Sequence, residues 1–206
     1  MRKRTTMLAA AATLATASFA AGAQVYFEDF SAFDGAGGNQ DIGLVGGFVI
    51  NAGYNPPNYI GLPGNSFNGS AMGFFDTDQD GTVFTEWGIN TGQTAAVDDV
   101  LTLTFDLGTN FGTPGGDFTA RVLVDGSIVS SEVFAVTDTG TGLSVTTPAL
   151  ASGGAISVEF LGEGASGTGY GQYQIDNIGV DATPIPEPAG IAGVVLLGGL
   201  LARRRR

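Results

Sequence analysis

The residues best suited to chemistry in this chain are three aspartates at alternating positions in segment 76–81, DTDQDG. Carboxylates spaced in this way converge on one side of a tight turn, the closing glycine permits the sharp bend, and hard oxygen ligands suit Ca²⁺. The twelfth position, where a calcium loop has its bidentate glutamate, is Trp87, and Glu86 comes one residue early. The segment is either a Ca²⁺ site or an acidic β-turn in solvent. The candidate ligands are Asp76, Asp78 and Asp80.

Catalytic chemistry has few other residues available. Cysteine and histidine are absent from all 206 residues, which excludes disulfides, thiolate zinc sites, cysteine nucleophiles and any Ser-His-Asp triad. A glycoside hydrolase needs two acids that flank the scissile bond, but the candidate glutamates follow no motif in their spacing. We therefore expect no catalytic residues. The glutamates considered are Glu86, Glu132, Glu159 and Glu163.

The segments that contain these acids have the composition of β-strands. Thirty-four glycines, together with short β-branched runs between Gly, Asn, Asp and Pro, are typical of strands and turns and unfavourable for helices. Residues 101–107 alternate between apolar and polar, which predicts a strand with one buried and one wet face. Asp125-Gly126 predicts a two-residue hairpin turn. We expect an all-β domain of about eight to ten strands, a β-sandwich of the jelly-roll type.

The predicted strands are bounded by turn residues. A loop rich in Asn, Pro and Gly is predicted at 51–68, and a flexible glycine-rich loop at 162–171. The predicted strands are 25–30, 42–50, 71–75, 83–87, 101–107, 118–124, 127–136, 155–161 and 172–180.

The charges are distributed very unevenly along the chain. Three of the eight basic residues lie at positions 2–4 and four at 203–206, which leaves Arg121 alone among twenty acidic residues. The segment between the two basic clusters therefore carries a formal charge of −19. Such a polyanion is repelled by phosphate backbones, so we exclude nucleic acid as a partner. Divalent cations suit this surface.

The last 23 residues have the composition of a protein-targeting signal. Segment 184–188, PIPEP, is followed by fourteen apolar or small residues, 189–202, and then by four arginines. A short apolar helix partitions into a bilayer, while the arginines stay on the cytoplasmic side. Its length is roughly 21 Å, short of the roughly 30 Å hydrocarbon core, which favours a transient helix over a lasting span.

This tripartite tail resembles the PEP-CTERM sorting signal of bacterial surface proteins. The resemblance implies recognition by a membrane-embedded exosortase, removal of the tail, and delivery to the cell surface or extracellular matrix, with membrane anchoring that is transient or permanent. The residues that carry the resemblance are Pro186, Glu187, Pro188, Arg203, Arg204, Arg205 and Arg206.

The N-terminus is consistent with export. Residues 2–4 form a positive region, 7–19 a small apolar run, and Ala21-Gly22-Ala23 fits a signal peptidase site, so the mature chain should begin at Gln24. We therefore expect three parts: a signal peptide at 1–23, a β-sandwich at 24–183 and a sorting signal at 184–206.

The outermost predicted strands resemble those of lectin-like and carbohydrate-binding-module jelly rolls, on the segments 26–30 (YFEDF) and 175–178 (IDNI). In such domains acidic residues on these strands hold a structural calcium, and the resemblance carries Glu28 and Asp176 over as ligands. The alternative is that both are edge-strand carboxylates in solvent.

Two functions are compatible with these features. We favour a non-catalytic, exported surface or matrix protein whose β-sandwich has a structural or adhesive role. The alternative is a carbohydrate-binding module, or a minor secreted glycoside hydrolase, that acts on surface exopolysaccharide. A row of exposed aromatics on one sheet would favour the alternative. The aromatics available for it are Tyr54, Tyr59, Trp87, Tyr170 and Tyr173.

Overall fold

The structure is a computed structural model that describes residues 22–33, 40–41, 48–52, 59–60, 73–77, 84–110, 116–163 and 171–185. This part of the chain forms twelve β-strands and one 3-10 turn, and the strands make two antiparallel sheets. The prediction of an all-β sandwich of the jelly-roll type is confirmed. The elements are β1 (Ala23–Glu28), the 3-10 turn Ser31–Phe33, β2 (Gln40–Asp41), β3 (Phe48–Ala52), β4 (Tyr59–Ile60), β5 (Gly73–Thr77), β6 (Phe84–Ala95), β7 (Asp99–Asn110), β8 (Phe118–Val124), β9 (Ser127–Phe134), β10 (Gly140–Thr146), β11 (Gly154–Glu163) and β12 (Gly171–Pro184).

Sheet A contains seven strands, in the order β10-β7-β12-β5-β4-β2, with β1 also paired to β12. Its central strand is β12, because this strand pairs with β7 along one edge and with both β5 and β1 along the other. Residues 171–175 pair with β5, and residues 178–182 pair with β1. The first strand of the domain is therefore held in place by the last one.

Sheet B contains five strands, in the order β3-β6-β11-β8-β9. The hairpin predicted at Asp125-Gly126 is confirmed: β8 and β9 pair directly, and both turn residues have positive φ angles, 49° and 74°. Positive φ at both central residues is what a type I′ turn requires, and its twist matches that of the flanking strands. The Asp125 Oδ1 atom also accepts a hydrogen bond of 2.8 Å from the Ala155 amide, which ties the turn to β11.

The core lies between the two sheets and is rich in aromatic side chains. Phe105 of sheet A contacts Phe118 and Phe160 of sheet B, with ring centroids 5.9 and 5.5 Å apart. Trp87 of sheet B lies 5.0 Å from Phe160, and all four rings are fully buried. Such pairs contribute about 0.5–1.5 kcal/mol each beyond their burial. Interdigitated rings therefore hold the two sheets together without disulfides.

The period-two pattern at 101–107 is confirmed for its apolar face and is wrong for part of its polar face. Leu101, Leu103, Phe105 and Leu107 are buried in the core. Asp106, expected on a wet face, is only 7% exposed. Its burial depends on hydrogen bonds to β10 and β12, two strands that are distant in the sequence.

Several strand bounds differ from the predicted ones. Of the strand predicted at 42–50, residues 48–50 belong to β3, which runs from Phe48 to Ala52, and residues 42–47 lie outside the described part. The predicted loop at 51–68 contains the end of β3 and all of β4. Strand β10, GTGLSVT, was not predicted, because its two glycines and short apolar content resemble a turn region. Strand β9 ends at Phe134, two residues early, since the Asp138 carboxylate accepts a hydrogen bond from the Ala135 amide and begins a turn.

The predicted terminal signals lie almost wholly outside the described residues, and the described part includes no helix long and apolar enough to cross a membrane. Four residues of the predicted signals are described: Gly22, Ala23, Pro184 and Ile185. Ala23, the last residue of the predicted signal peptide, is the first residue of β1, and Pro184, the first residue of the predicted sorting signal, is the last residue of β12.

Candidate functional site

Three of the five predicted metal ligands are among the described residues, and they lie on three different strands. Asp76 is in β5, where its backbone is paired with Gln172 of β12, whereas Asp78 and Asp80 are outside the described residues. Glu28 is the last residue of β1, and Asp176 lies near the middle of β12.

Glu28 stabilises the chain reversal that follows β1. Its Oε1 atom accepts a 2.7 Å hydrogen bond from the amide of Phe30, a buried residue with a φ of 56°. Asp29 accepts a 3.0 Å bond from the Ser31 amide in the same turn. Burial raises the pKa of Glu28, the bond from Phe30 opposes that rise, and the charge of Asp29 adds to it. A left-handed conformation is unfavourable for a bulky residue, so the Glu28 carboxylate offsets local strain.

Asp176 belongs to a polar network around a β-bulge in β12. The register of β12 against β7 shifts between Asp176 and Gly179, so both Asn177 and Ile178 face Phe105. Asn177 adopts the left-handed conformation, with a φ of 50°, which its short polar side chain tolerates better than most residues do. A bulge of this kind twists the strand and redirects side chains.

Four residues make up this cluster, which we call the bulge network: Asp106, Gly142, Asp176 and Asn177. The backbone amide of Asn177 donates to Asp176 Oδ1 at 2.8 Å. The side-chain Nδ2 of Asn177 donates to Asp106 Oδ2, also at 2.8 Å. The Gly142 amide donates to Asp106 Oδ1 at 2.7 Å. The network therefore connects β7, β10 and β12, and it brings two buried carboxylates into direct register on neighbouring strands.

The sequence contains only part of the signal for this network. The run IDNI identified Asp176, and the preference of asparagine for left-handed conformations could have indicated a bulge at the next residue. Asp106 was missed because its position in an alternating strand predicts exposure. Its carboxylate instead takes part in charge-assisted hydrogen bonds, which are stronger than neutral ones.

Calcium binding stays a prediction for this chain. Within the described ranges, no group of three or more acidic residues is close enough together to hold a metal ion. Glu28 Oε1 accepts a hydrogen bond from the amide of Phe30, and Asp176 Oδ1 accepts one from the backbone amide of Asn177. The predicted turn at 76–81 is described only as far as residue 77.

The outer face of sheet B, which points away from the core, carries a charged pair at its centre. Arg121 of β8 and Glu159 of β11 are in register, with Nη1 and Oε2 3.6 Å apart and exposures of 24% and 18%. Gly88 of β6 lies opposite Glu159 on the other side and is buried. A partly exposed pair of this kind stabilises by about 0.2–1 kcal/mol.

Of the other glutamates considered for catalysis, Glu132 has a described side chain, and it does not form an acid pair with Glu159. Glu132 lies opposite Ala120 and Glu159 opposite Arg121, and neighbouring positions of β8 point to opposite faces of the sheet. Glu86 is in register with Leu161 of β11.

Two of the five aromatics considered for sugar stacking are core residues. Trp87 and Tyr173 have no exposed surface, and the Tyr173 hydroxyl donates to the Gly116 carbonyl oxygen. Tyr59 is in β4, and Tyr54 and Tyr170 are outside the described residues.

Comparison with known proteins finds structural similarity without a family assignment. No family model matches the chain, and no curated protein matches it. A Stig cyclase from Fischerella sp. TAU has a TM-score of 0.48 at 12% identity, over 78% of this chain and 86% of its own. A structure described as a family 4 carbohydrate-binding module, CBM4, has a TM-score of 0.46 at 15% identity, over 66% of this chain and 94% of its own. The CBM22-1 xylan-binding domain of Paenibacillus barcinonensis Xyn10C has a TM-score of 0.42 at 10% identity, over 81% of this chain and 98% of its own.

Proposed function

We propose that this chain is an exported, non-catalytic protein that an exosortase sorts to the cell surface or extracellular matrix. Its β-sandwich has a structural or adhesive role there. Signal peptidase removes residues 1–23, and the apolar segment 189–202 holds the chain in the membrane at least until the tail is processed.

The observation that carries this proposal is the pairing of two end signals around an anionic domain. Both ends combine an apolar run with a cluster of basic residues, and the segment between the clusters has a single basic residue, Arg121. Arginine clusters next to apolar helices set orientation across a membrane. The acidic β-domain would then be on the outer side.

The described side chains support a role without catalysis. The buried carboxylates Asp106 and Asp176 accept hydrogen bonds from backbone or side-chain amide donors within the fold. Arg121 faces Glu159 across two strands. These polar groups stabilise strands and turns, which is the arrangement expected of a structural module.

Expression in the native host tests the sorting proposal. Mass spectrometry of the surface fraction should find a chain that begins at Gln24 and lacks Arg203 to Arg206. Replacing Pro186, Glu187 and Pro188 together by alanine should leave the tail attached and the protein in the membrane fraction. The matched control is Pro184→Ala, an exposed proline just outside the motif, which should be processed normally. Intact termini at Met1 and Arg206 in surface protein would refute the proposal.

A carbohydrate-binding role is the second candidate, and one observation favours it. Asn90 is exposed on the outer face of sheet B, in the same region as Arg121 and Glu159, and Gly88 adds no side chain beside them. Polar side chains on a sheet face can hydrogen-bond sugar hydroxyls. A glycan array with the wild-type chain and the Arg121→Ala variant distinguishes the two roles: binding that this variant loses supports the second candidate, and no binding by the wild type supports the first.

A further inference from the structure

Strand β9 is an edge of sheet B with few of the features that protect edges. Among the described strands it pairs only with β8. Its sequence, SIVSSEVF, contains neither lysine nor proline, and Glu132 is its only charged residue. Natural edge strands are usually shortened, charged or interrupted by proline, because exposed backbone groups can pair with another chain. This edge is eight residues long, and its protective features are one carboxylate, Glu132, and a β-bulge at Val129.

Two of the four large apolar side chains of β9 are exposed on the same face. Ile128 is 53% exposed and Val133 is 60% exposed. Residues five apart in a regular strand point to opposite faces, but the register of β9 shifts by one residue at Val129. Ile128 therefore lies opposite Leu123, and Val133 opposite Thr119, both on the outer face of sheet B.

The bulge also makes the strand complementary to itself. Along the outer face the order is Ile128, Ser131, Val133, because Ser131 lies opposite Arg121 of β8. In a regular antiparallel ladder about an axis at Ser131, Val133 would lie opposite Val129. Because Val129 is the extra residue of the bulge, a ladder that passes over it, as the pairing with β8 does, brings Val133 opposite Ile128. Cross-strand apolar pairs of this type stabilise a sheet.

We propose that β9 is a homotypic docking edge: β9 of a second copy pairs antiparallel with it about a two-fold axis at Ser131. Val133 of each copy then lies opposite Ile128 of the other, and Ser131 lies opposite its own equivalent. Sheet B continues across both copies. A two-fold contact uses the same patch on each partner, which is why the order of side chains around Ser131 matters.

Electrostatic repulsion between two copies should be weaker at this edge than over most of the anionic domain surface. The neighbouring edge strand of sheet A, β10, contains no charged residue, and the Ser130 hydroxyl of β9 donates to the Thr146 carbonyl oxygen of β10 at 3.0 Å. The two edges thus form one side of the sandwich with Glu132 as the only charge in either strand. Because the whole domain is strongly anionic, association should strengthen as salt screens the long-range repulsion.

The docking edge is independent of the proposed sorting. It would give an exported matrix protein a means of self-assembly, but it depends only on the structure of the edge formed by β9. Failure of the docking test would leave the sorting experiment unaffected, and the reverse is also true.

Disulfide crosslinking tests the register directly, because the native chain contains no cysteine. Opposed residues of an antiparallel pair have Cα atoms about 4.5–5.5 Å apart, within the range of about 4.4–6.8 Å that a disulfide spans. The full chain is prepared as Ser131→Cys, Ile128→Cys, Val133→Cys and, as a control exposed outside β9, Val97→Cys. Each is oxidised alone, and the second and third are also mixed in equal amounts.

The expected pattern is specific. Ser131→Cys should form a covalent dimer on its own, Ile128→Cys and Val133→Cys should crosslink with each other at least ten times more than with themselves, and Val97→Cys should stay monomeric. Dimer yield should rise with salt. A single edge contact is smaller than a standard interface of about 1,200–2,000 Å², so crosslinking suits this weak association better than gel filtration.

Two results would overturn the proposal. Equal crosslinking of all four variants would indicate random collision or association through another part of the chain. Absence of dimer for Ser131→Cys, in protein whose tryptophan fluorescence shows that it is folded, would indicate that β9 stays unpaired in solution.

Discussion

Asn177 is the residue on which the bulge network depends most directly, and its replacement by alanine should destabilise the domain strongly. The change removes the 2.8 Å hydrogen bond from Nδ2 to the buried Asp106 carboxylate, and it puts a residue with a Cβ atom but no local polar contact at a φ of 50°. Both effects act in the folded state. They can be separated, because glycine lacks the side chain but adopts this φ freely.

The magnitude follows from these two contributions. A hydrogen bond to a charged group stabilises by about 1.5–3 kcal/mol, and a left-handed conformation costs an ordinary residue about 1–2 kcal/mol. Asn177→Ala should therefore lower the free energy of unfolding by about 2.5–5 kcal/mol. Asn177→Gly loses the bond without the strain, although glycine adds about 0.5–1 kcal/mol of backbone entropy cost. Its loss should be smaller than that of the alanine variant.

Urea unfolding at neutral pH provides the assay, followed by the fluorescence of Trp87, the single and fully buried tryptophan. Asn90→Ala, at an exposed position of β6, is the matched control and should change stability by less than about 0.5 kcal/mol. A loss below about 1 kcal/mol for Asn177→Ala, or a larger loss for the glycine variant, would refute the reasoning that this residue both bridges and bends β12.

Three further predictions follow from other parts of the fold. Gly153→Ala should lower the free energy of unfolding by about 1–3 kcal/mol, because the added Cβ would lie 2.6 Å from the Ala95 backbone oxygen. The control is Gly140→Ala, where the added Cβ meets no atom within 4 Å, and it should be neutral in the same urea assay. Tyr26 has its pKa raised by burial and by a nearby carboxylate, so the native state retains a proton that the unfolded state releases, and stability should fall as pH rises above about 10. Tyr26→Phe should flatten that alkaline loss, and an unchanged pH profile would contradict it. Phe160→Ala should cost about 3–5 kcal/mol in thermal or urea unfolding, since its ring contacts three other buried aromatics, and a loss near zero would show that the sheets are held together in another way.

Sequence patterns predicted the elements whose determinants are local. The alternation at 101–107 and the pair Asp125-Gly126 gave a strand and a turn that the structure confirms, because side-chain period and positive φ are properties of adjacent residues. Strand β8 has the bounds that were predicted for it. In each case few long-range contacts were needed to decide the conformation.

The features that sequence patterns did not predict depend on contacts between residues far apart in the chain. Strand β10 has two glycines and little apolar content, and it forms because β7 offers a partner strand and Asp106 accepts a bond from the Gly142 amide. The burial of Asp106 depends in turn on a bulge in β12, some seventy residues later in the chain. Asp176 was identified by resemblance, but its connection to Asp106 needed the register between two strands.

Both predicted cuts fall at the margins of strands, which makes the proposed processing compatible with the fold. Cleavage after Ala23 removes a single residue of β1, Ala23 itself, and with it the pairing of Ala23 with Ala182 of β12. The sorting motif begins at Pro186, so that all of β12, through Pro184, precedes it with Ile185 as the only residue between. Since β12 is the central strand of sheet A, a cut inside it would remove the partner of β1, β5 and β7 together. Processing confined to these margins would leave the bulge network, the aromatic core and the β9 edge unchanged.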